Sequence, residues 1–164
     1  MKSPRKDRVI AETLLSRPEI INAHVICIYV SLPTEVDTAG IIDQLLALRK
    51  IVVVPKVSQD TLLLYQIRSR TDLAPGPYGI LEPFDSLHSI DKSSVDVFIV
   101  PGKSFDRLGN RKGKGKGYYD RLLRAVHVRK IGLAYQYQIV TRLPVHSYDI
   151  PMDVIITEKE TITT

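Results

Sequence analysis

The sequence predicts an α/β fold: one domain over residues 1–164, with a mostly parallel sheet and helices on both faces. Three observations predict it. Short apolar runs of strand length recur along the chain, separated by amphipathic or turn-rich segments, and their near-continuous apolarity marks strands covered on both sides. The 164 residues suffice for one core and fall short of two ordinary domains, and no internal repeat or shift of composition divides them. Finally, a loop crowded with glycine and positive charge lies between one such run and a helix, where open α/β sheets bind ligands.

Taken in order, Arg5 to Leu15 places Val9, Ile10, Thr13 and Leu14 near helical spacing and is closed by Pro18, which predicts a surface helix. Residues 24–30, His-Val-Ile-Cys-Ile-Tyr-Val, predict a buried strand. Thr38 or Asp37 then caps a helix with Ile41, Ile42, Leu45, Leu46 and Leu48 on one face, so Glu35, in the loop between, stands on the ligand side of the sheet. Ile51 to Val54 is a second buried strand, expected to stop at Pro55, with Lys56 following into the same rim. Thr61 to Ile67 is a third. Thr71 to Ser94, rich in proline, glycine and small polar residues, reads as a long loop with little structure of its own, a common form of lid.

Val95 to Val100 is the next strand, ended by Pro101-Gly102. Tyr118, Leu122, Leu123 and Val126 recur at helical spacing. Lys130 to Tyr135 is a strand, Gln136 to Arg142 turns the chain back, and Val154-Ile155-Ile156 is the last strand.

Composition removes several function classes. With 44% hydrophobic and 25% charged residues the chain is an ordinary globular one. It has no apolar run near the roughly 20 residues that span a bilayer, and its polar start lacks a signal peptide's apolar core, so a cytoplasmic location without membrane contact is expected. The one cysteine, Cys27, sits in an apolar run and reads as a buried small hydrophobe. His24, His88, His127 and His146 show no metal spacing, and no Ser-His-Asp or Cys-His set stands out.

The formal charge is +5, but Lys103 to Arg124 holds eight basic residues against two acidic ones, a net of +6 that leaves −1 elsewhere. Charge gathered in one glycine-rich loop suits a compact polyphosphate, whereas a duplex needs it spread over a face, so no nucleic-acid partner is expected. From Arg111 the chain runs Arg111-Lys112-Gly113-Lys114-Gly115-Lys116-Gly117. Glycines permit positive φ and let amides turn onto an anion while the bases supply charge. Asp120, in the first turn of the next helix, is placed for a magnesium ion on those phosphates. The glycine spacing fits neither the Walker loop nor the dinucleotide fingerprint, and composition alone suits a solvated connector as well as a phosphate cradle.

The run from Pro101 to Leu123, PGKSFDRLGNRKGKGKGYYDRLL, resembles the signature of the 5-formyltetrahydrofolate cyclo-ligase (methenyltetrahydrofolate synthetase) family. Tyr29-Val30-Ser31, Glu35-Val36-Asp37-Thr38, Pro55-Lys56, Gly79-Ile80-Leu81-Glu82-Pro83, Gly132-Leu133-Ala134 with Gln138, and Asp149 with Met152-Asp153 follow in that family's order, so the likeness spans Ile26 to Glu158. It implies a three-layer fold of the ribose-phosphate isomerase kind and ATP-dependent closure of 5-formyltetrahydrofolate to 5,10-methenyltetrahydrofolate; the sequence does not determine oligomeric state, and a monomer is the expectation. It also implies catalytic roles for Arg111, Lys114 and Lys116. ATP would be held by Arg111, Lys112, Gly113, Lys114, Gly115, Lys116, Gly117, Tyr118 and Tyr119, the two tyrosines offering flat surfaces. Folate would meet Val30, Glu35 and Lys114 to Tyr118, with Tyr78, Ile80 and Glu82 nearby, and Mg2+ would sit on Asp120 and Asp153.

Two departures from the family pattern stand out. Relatives usually carry a further N-terminal segment whose Lys and Arg touch the nucleotide, for which Lys2, Arg5, Lys6 and Arg8 are candidate substitutes. Lys112 stands where leucine is usual. The alternatives are a non-catalytic nucleotide- or RNA-binding paralogue and a sugar-phosphate isomerase of similar architecture.

Overall fold

Five parallel strands form the centre of the molecule. The computed structural model describes residues 1–164, the side chain of Tyr78 excepted. Helices α1 (Pro4–Leu15) and α2 (Pro18–Ile21) lead into β1 (Val25–Ile28), α3 (Ala39–Ala47), β2 (Ile51–Ser58) and β3 (Thr61–Ile67). A hairpin of β4 (Leu73–Pro75) and β5 (Leu81–Pro83) precedes β6 (Ser89–Ile90) and β7 (Val97–Val100). Then come β8 (Ser104–Asp106), β9 (Arg111–Lys112), α4 (Tyr118–Leu123), β10 (Arg129–Leu133), β11 (Ile139–Val140), β12 (Val154–Ile156) and β13 (Thr161–Thr163). The main sheet has the order β13-β12-β10-β7-β1-β2-β3-β6. Strands β12, β10, β7, β1 and β2 pair in parallel, and β13, β3 and β6 add antiparallel edges.

Period-two alternation divides the core between the faces of this sheet. Ile26, Ile28, Val97, Ile99, Ile131 and Leu133 join Ile10, Leu14, Ile42 and Leu45 in one cluster under α1 to α3. Cys27, Phe98, Val100 and Ile155 join Leu122 and Leu123 of α4 in the other. Three layers result, as expected. Ser3 caps α1 by accepting the Lys6 amide, Pro4 fits its first turn, and full burial of Ile10 and Leu14, worth about 1.5–3 kcal/mol each, docks the helix.

Several local expectations are corrected. Strand β2 runs through Pro55 to Ser58, because β1 pairs with it only as far as Val53 and the missing proline N–H therefore breaks no ladder on that side. Residues 71–94 are not a bare loop: β4 and β5 pair with each other and β6 pairs with β3. Pro18 opens a helical turn, α2, as well as closing α1. Leu48 lies past the end of α3 and is 60% exposed. Val126 is outside α4, which breaks at Ala125 with φ 59°.

Thr38 is the cap position of α3, but its hydroxyl donates to the Tyr29 carbonyl and accepts the Ser31 amide. The capping acceptor is Asp37, which takes the Ala39 amide at 2.9 Å. The charged loop does not leave β7 directly either. A ribbon of β8 and β9, paired with β11, intervenes. Fully buried Asp106 ties it together, accepting the amides of Leu108, Asn110 and Leu143 and the Asn110 side-chain amide, each at 3.0 Å.

Candidate active site

A cavity of about 930 Å³ opens at the carboxyl ends of the parallel strands. Tyr29 and Val30 beyond β1, and Pro101 to Lys103 beyond β7, form its floor, which is where an open α/β sheet places its ligands. On one side stands the β1–α3 loop. There Glu35 folds back so that its Oε2 accepts the Leu32 amide at 2.7 Å, closing a turn that the Glu35 amide completes by donating to the Leu32 carbonyl. On a second side Lys56 of β2 holds the β4–β5 hairpin, donating to the Pro83 carbonyl at 3.1 Å and to Asp85 at 2.9 Å. Ile80, Leu81 and Glu82 of that hairpin face the cavity.

The glycine loop forms the third side. Gly115 and Gly117 have φ of +92° and +68°, conformations that most side chains resist, and Gly113 lies so close to Arg111 that a Cβ would stand 2.8 Å from its guanidinium. Among the described residues, no amide from Gly113 to Gly117 donates a hydrogen bond to a protein acceptor. Lys112, Lys114 and Lys116 are exposed, and Lys114 Nζ lies 4.0 Å from Glu35 Oε1 across the cavity.

Arg111 differs from these lysines. Its side chain is 6% exposed, donates to the Pro101 carbonyl at 3.0 Å, and lies 4.0 Å from Asp120. Its buried Nε has no partner. Burial lowers the guanidinium pKa below its ordinary value despite the opposing pull of Asp120, Tyr119 and Asp149. A buried cation so sparsely countered favours a further anion in the cavity.

The sequence-derived site residues are nearly all brought together: Val30, Glu35 and Arg111 to Asp120 line this one cavity. Asp153 is the correction. It lies at the amino ends of β10 and β12, where its carboxylate accepts the Lys130 amide at 2.9 Å, and it does not reach the cavity wall that carries Asp120. The basic N-terminal residues are not on the wall either: Lys2 donates to the Glu35 carbonyl and Lys6 pairs with Glu158 at 3.1 Å. The Tyr78 side chain lies outside the described residues.

The two tyrosines are not the bare surfaces expected. Arg121 covers Tyr118 and Arg111 covers Tyr119, each at 5.3 Å from the ring centre. Burial raises the Tyr119 hydroxyl pKa well above the ordinary range, which removes it from acid–base work.

Residues not singled out from the sequence complete the wall. His146 and Tyr148 stack at 5.3 Å with 8° between their planes, held by a turn in which Asp149 accepts the His146 amide. Their signal was an aromatic pair in a proline-led polar stretch, too common a pattern to stand out alone.

The 5-formyltetrahydrofolate cyclo-ligase family model matches residues 2–158. The chain belongs to this family. The 5-formyltetrahydrofolate cyclo-ligase of Escherichia coli K12 is 32% identical over 154 residues, covering 90% of this chain and 85% of that protein. The probable cyclo-ligase of Caenorhabditis elegans is 29% identical over 98% of this chain and 85% of its own length. The 5,10-methenyltetrahydrofolate synthetase of Aquifex aeolicus superposes with a TM-score of 0.85 at 37% identity, over 96% of this chain and 80% of that one. The synthetase of Mycoplasma pneumoniae, at TM-score 0.74 and 24% identity, shares the fold. Cyclo-ligases are enzymes, so the chain belongs to an enzyme family. Among the described residues no helix is long and apolar enough to cross a membrane.

Proposed function

We propose that the chain closes 5-formyltetrahydrofolate to 5,10-methenyltetrahydrofolate, converting ATP to ADP and phosphate. One observation carries the reading: a single cavity joins a hydrogen-bonded carboxylate wall to a loop of unpaired amides and lysines, and Lys114 and Glu35 meet at 4.0 Å. At about 930 Å³ the cavity is at the large end of small-molecule sites, as two substrates require.

An N-formyl group is a poor electrophile toward the neighbouring amine, so its oxygen must first become a leaving group. In the proposed sequence the formyl oxygen attacks the γ-phosphorus and ADP departs. The second folate nitrogen then adds to the iminium carbon and loses its proton, and phosphate leaves with the former formyl oxygen. No side chain is needed as nucleophile, only positioning and neutralisation of spread charge. Arg111, Lys114 and Lys116, with Lys112 at the loop's edge and the amides of Gly113 to Gly117, would hold the triphosphate. Tyr118 and Tyr119 back that loop. Val30 and Glu35 would hold the folate, and the His146–Tyr148 stack offers the flat surface for the adenine.

Asp120 fits a magnesium ion, which ordinarily takes one or two carboxylates plus phosphate oxygens and water, and Asp149 on the same wall can be the second. When bound, the metal would neutralise phosphate charge. The test is direct: protein, 5-formyltetrahydrofolate and Mg-ATP are mixed and the methenyl absorbance is followed. A rise that needs all three supports the proposal; no rise overturns it.

A further inference from the structure

One half-buried polar cluster has no part in the reaction above. Asp7, in the first turn of α1, stands outside the cavity, and its Oδ1 accepts both the hydroxyl of Tyr135 and, at 3.2 Å, the amide of Asp37. That hydroxyl also lies 3.3 Å from the Glu35 carbonyl oxygen, which accepts from Lys2 Nζ at 2.9 Å. Tyr135 is fully buried and stacks on Tyr137, whose ring is on the cavity wall, at 5.5 Å. Ile10 and Leu14 already dock α1 by apolar burial, so a polar group placed here does something that packing does not. Segments 31–38 and 135–137, far apart in sequence, both end on this one carboxylate.

We infer that Asp7 is a positioning residue for the folate side of the site. Through Tyr135 and the Asp37 amide it fixes the backbone on either side of Val36. The Glu35 carboxylate is fastened to the Leu32 amide within the same turn, so it points where that backbone sends it, toward Lys114. With the latch released, the turn must be ordered anew by each folate that binds, and affinity falls while phosphoryl transfer at the glycine loop does not. The inference rests on the functional reading above for the identity of the ligand.

The experiment varies each substrate in turn for Asp7→Ala, Tyr135→Phe and the double variant. Both changes break the Asp7–Tyr135 bond and Asp7→Ala also frees the Asp37 amide, so KM for 5-formyltetrahydrofolate should rise about tenfold in Asp7→Ala, less in Tyr135→Phe, and little further in the double than in Asp7→Ala. Meanwhile kcat and KM for ATP should stay within about twofold of wild type. Asp7→Asn, which keeps an acceptor oxygen, should fall between. An unchanged folate KM, additive effects, or an equal rise in both KM values overturns the inference.

A second measurement needs no turnover. Amide hydrogen exchange over residues 31–38 should quicken in Asp7→Ala and in the milder Tyr135→Phe, with β1 and β7 unchanged. Unchanged exchange over 31–38 overturns the inference. Absence of wild-type turnover would count against the functional reading, and the exchange result would still decide the latch.

Discussion

The loop from Ser31 to Thr38 and the loop from Gly113 to Gly117 face each other across one cavity, yet the protein treats their backbones in opposite ways. In the first, Ser31, Leu32, Glu35, Asp37 and Thr38 all donate their amides to protein acceptors, and the carbonyls of Val36 and Glu35 receive Tyr29 and Lys2. In the second, no amide is so used among the described residues, and Lys114 and Lys116 extend into solvent. Amides so paired are held by the protein's own acceptors, so the first loop is specified by the chain itself. Exposed amides and cations are available to an anion, so under the proposed function the second is completed by its ligand. Damage to the first should therefore appear as lost affinity and order, damage to the second as lost catalysis with the fold intact.

The largest expected effect tests the open side. Lys116→Ala should lower kcat/KM by about 10²–10³, the usual result of removing one group that stabilises developing charge. Its melting temperature should stay close to wild type, because an exposed side chain away from caps and cores contributes within about 0.5 kcal/mol to stability. The rate comes from methenyl absorbance and the stability from thermal unfolding. A variant that melts early but turns over normally would reverse the comparison.

A smaller effect tests whether the open loop stands on a closed base. Burial opposes ionisation of Asp106, but the Asn110 side chain and the amides of Leu143, Asn110 and Leu108 outweigh it and hold the pKa below the ordinary aspartate range. Asp106→Asn turns donors toward donors and should cost about 1–3 kcal/mol. The sign of its pH dependence follows from linkage. A depressed folded pKa means that the stabilisation is fully present above the unfolded pKa and is lost as pH falls through the folded one. The stability gap between wild type and variant should be complete at neutral pH and narrow on acidification below the ordinary aspartate range, as read from unfolding curves at a series of pH values. A gap independent of pH would show that the carboxylate charge contributes nothing to the ribbon.

The same contrast explains what the sequence disclosed. Buried strands were legible because apolar runs such as 97–100 have one physical cause, and the glycine loop because its composition is rare. Strand β3 was placed at its observed ends, Thr61 and Ile67. What escaped depended on partners far along the chain. The ribbon of β8 and β9 exists because Asp106 gathers amides from Leu108 to Leu143, and nothing local to SFD announces that. Pro55 stops a strand only if a neighbour needs its N–H, and β1 had already ended its pairing. Within the site, Glu35 and Lys114 were recoverable through family resemblance. Asp153 shows the opposite: the residues alone make it a strand-start residue directly before Val154, at the amino end where it is found, and only the family resemblance carried it to a metal site on the cavity.

The smallest expected effect sharpens the boundary of the open loop. Lys112 closes strand β9, opposite Ser104, and its carbonyl accepts the Lys103 amide at 2.7 Å, so its backbone belongs to the ribbon and only its side chain could serve the ligand. Gly113, Gly115 and Gly117 give Lys114 and Lys116 backbone freedom that Lys112 lacks. An exposed charge held at the rim acts through solvent, where screening is substantial at about 0.1 M ionic strength. Lys112→Leu should therefore leave kcat/KM within about twofold of wild type at that salt, with the difference growing as salt is removed. Rates at two ionic strengths decide it. A loss as large as that of Lys116→Ala, insensitive to salt, would mean that Lys112 touches phosphate, and the open wall would then begin inside the ribbon.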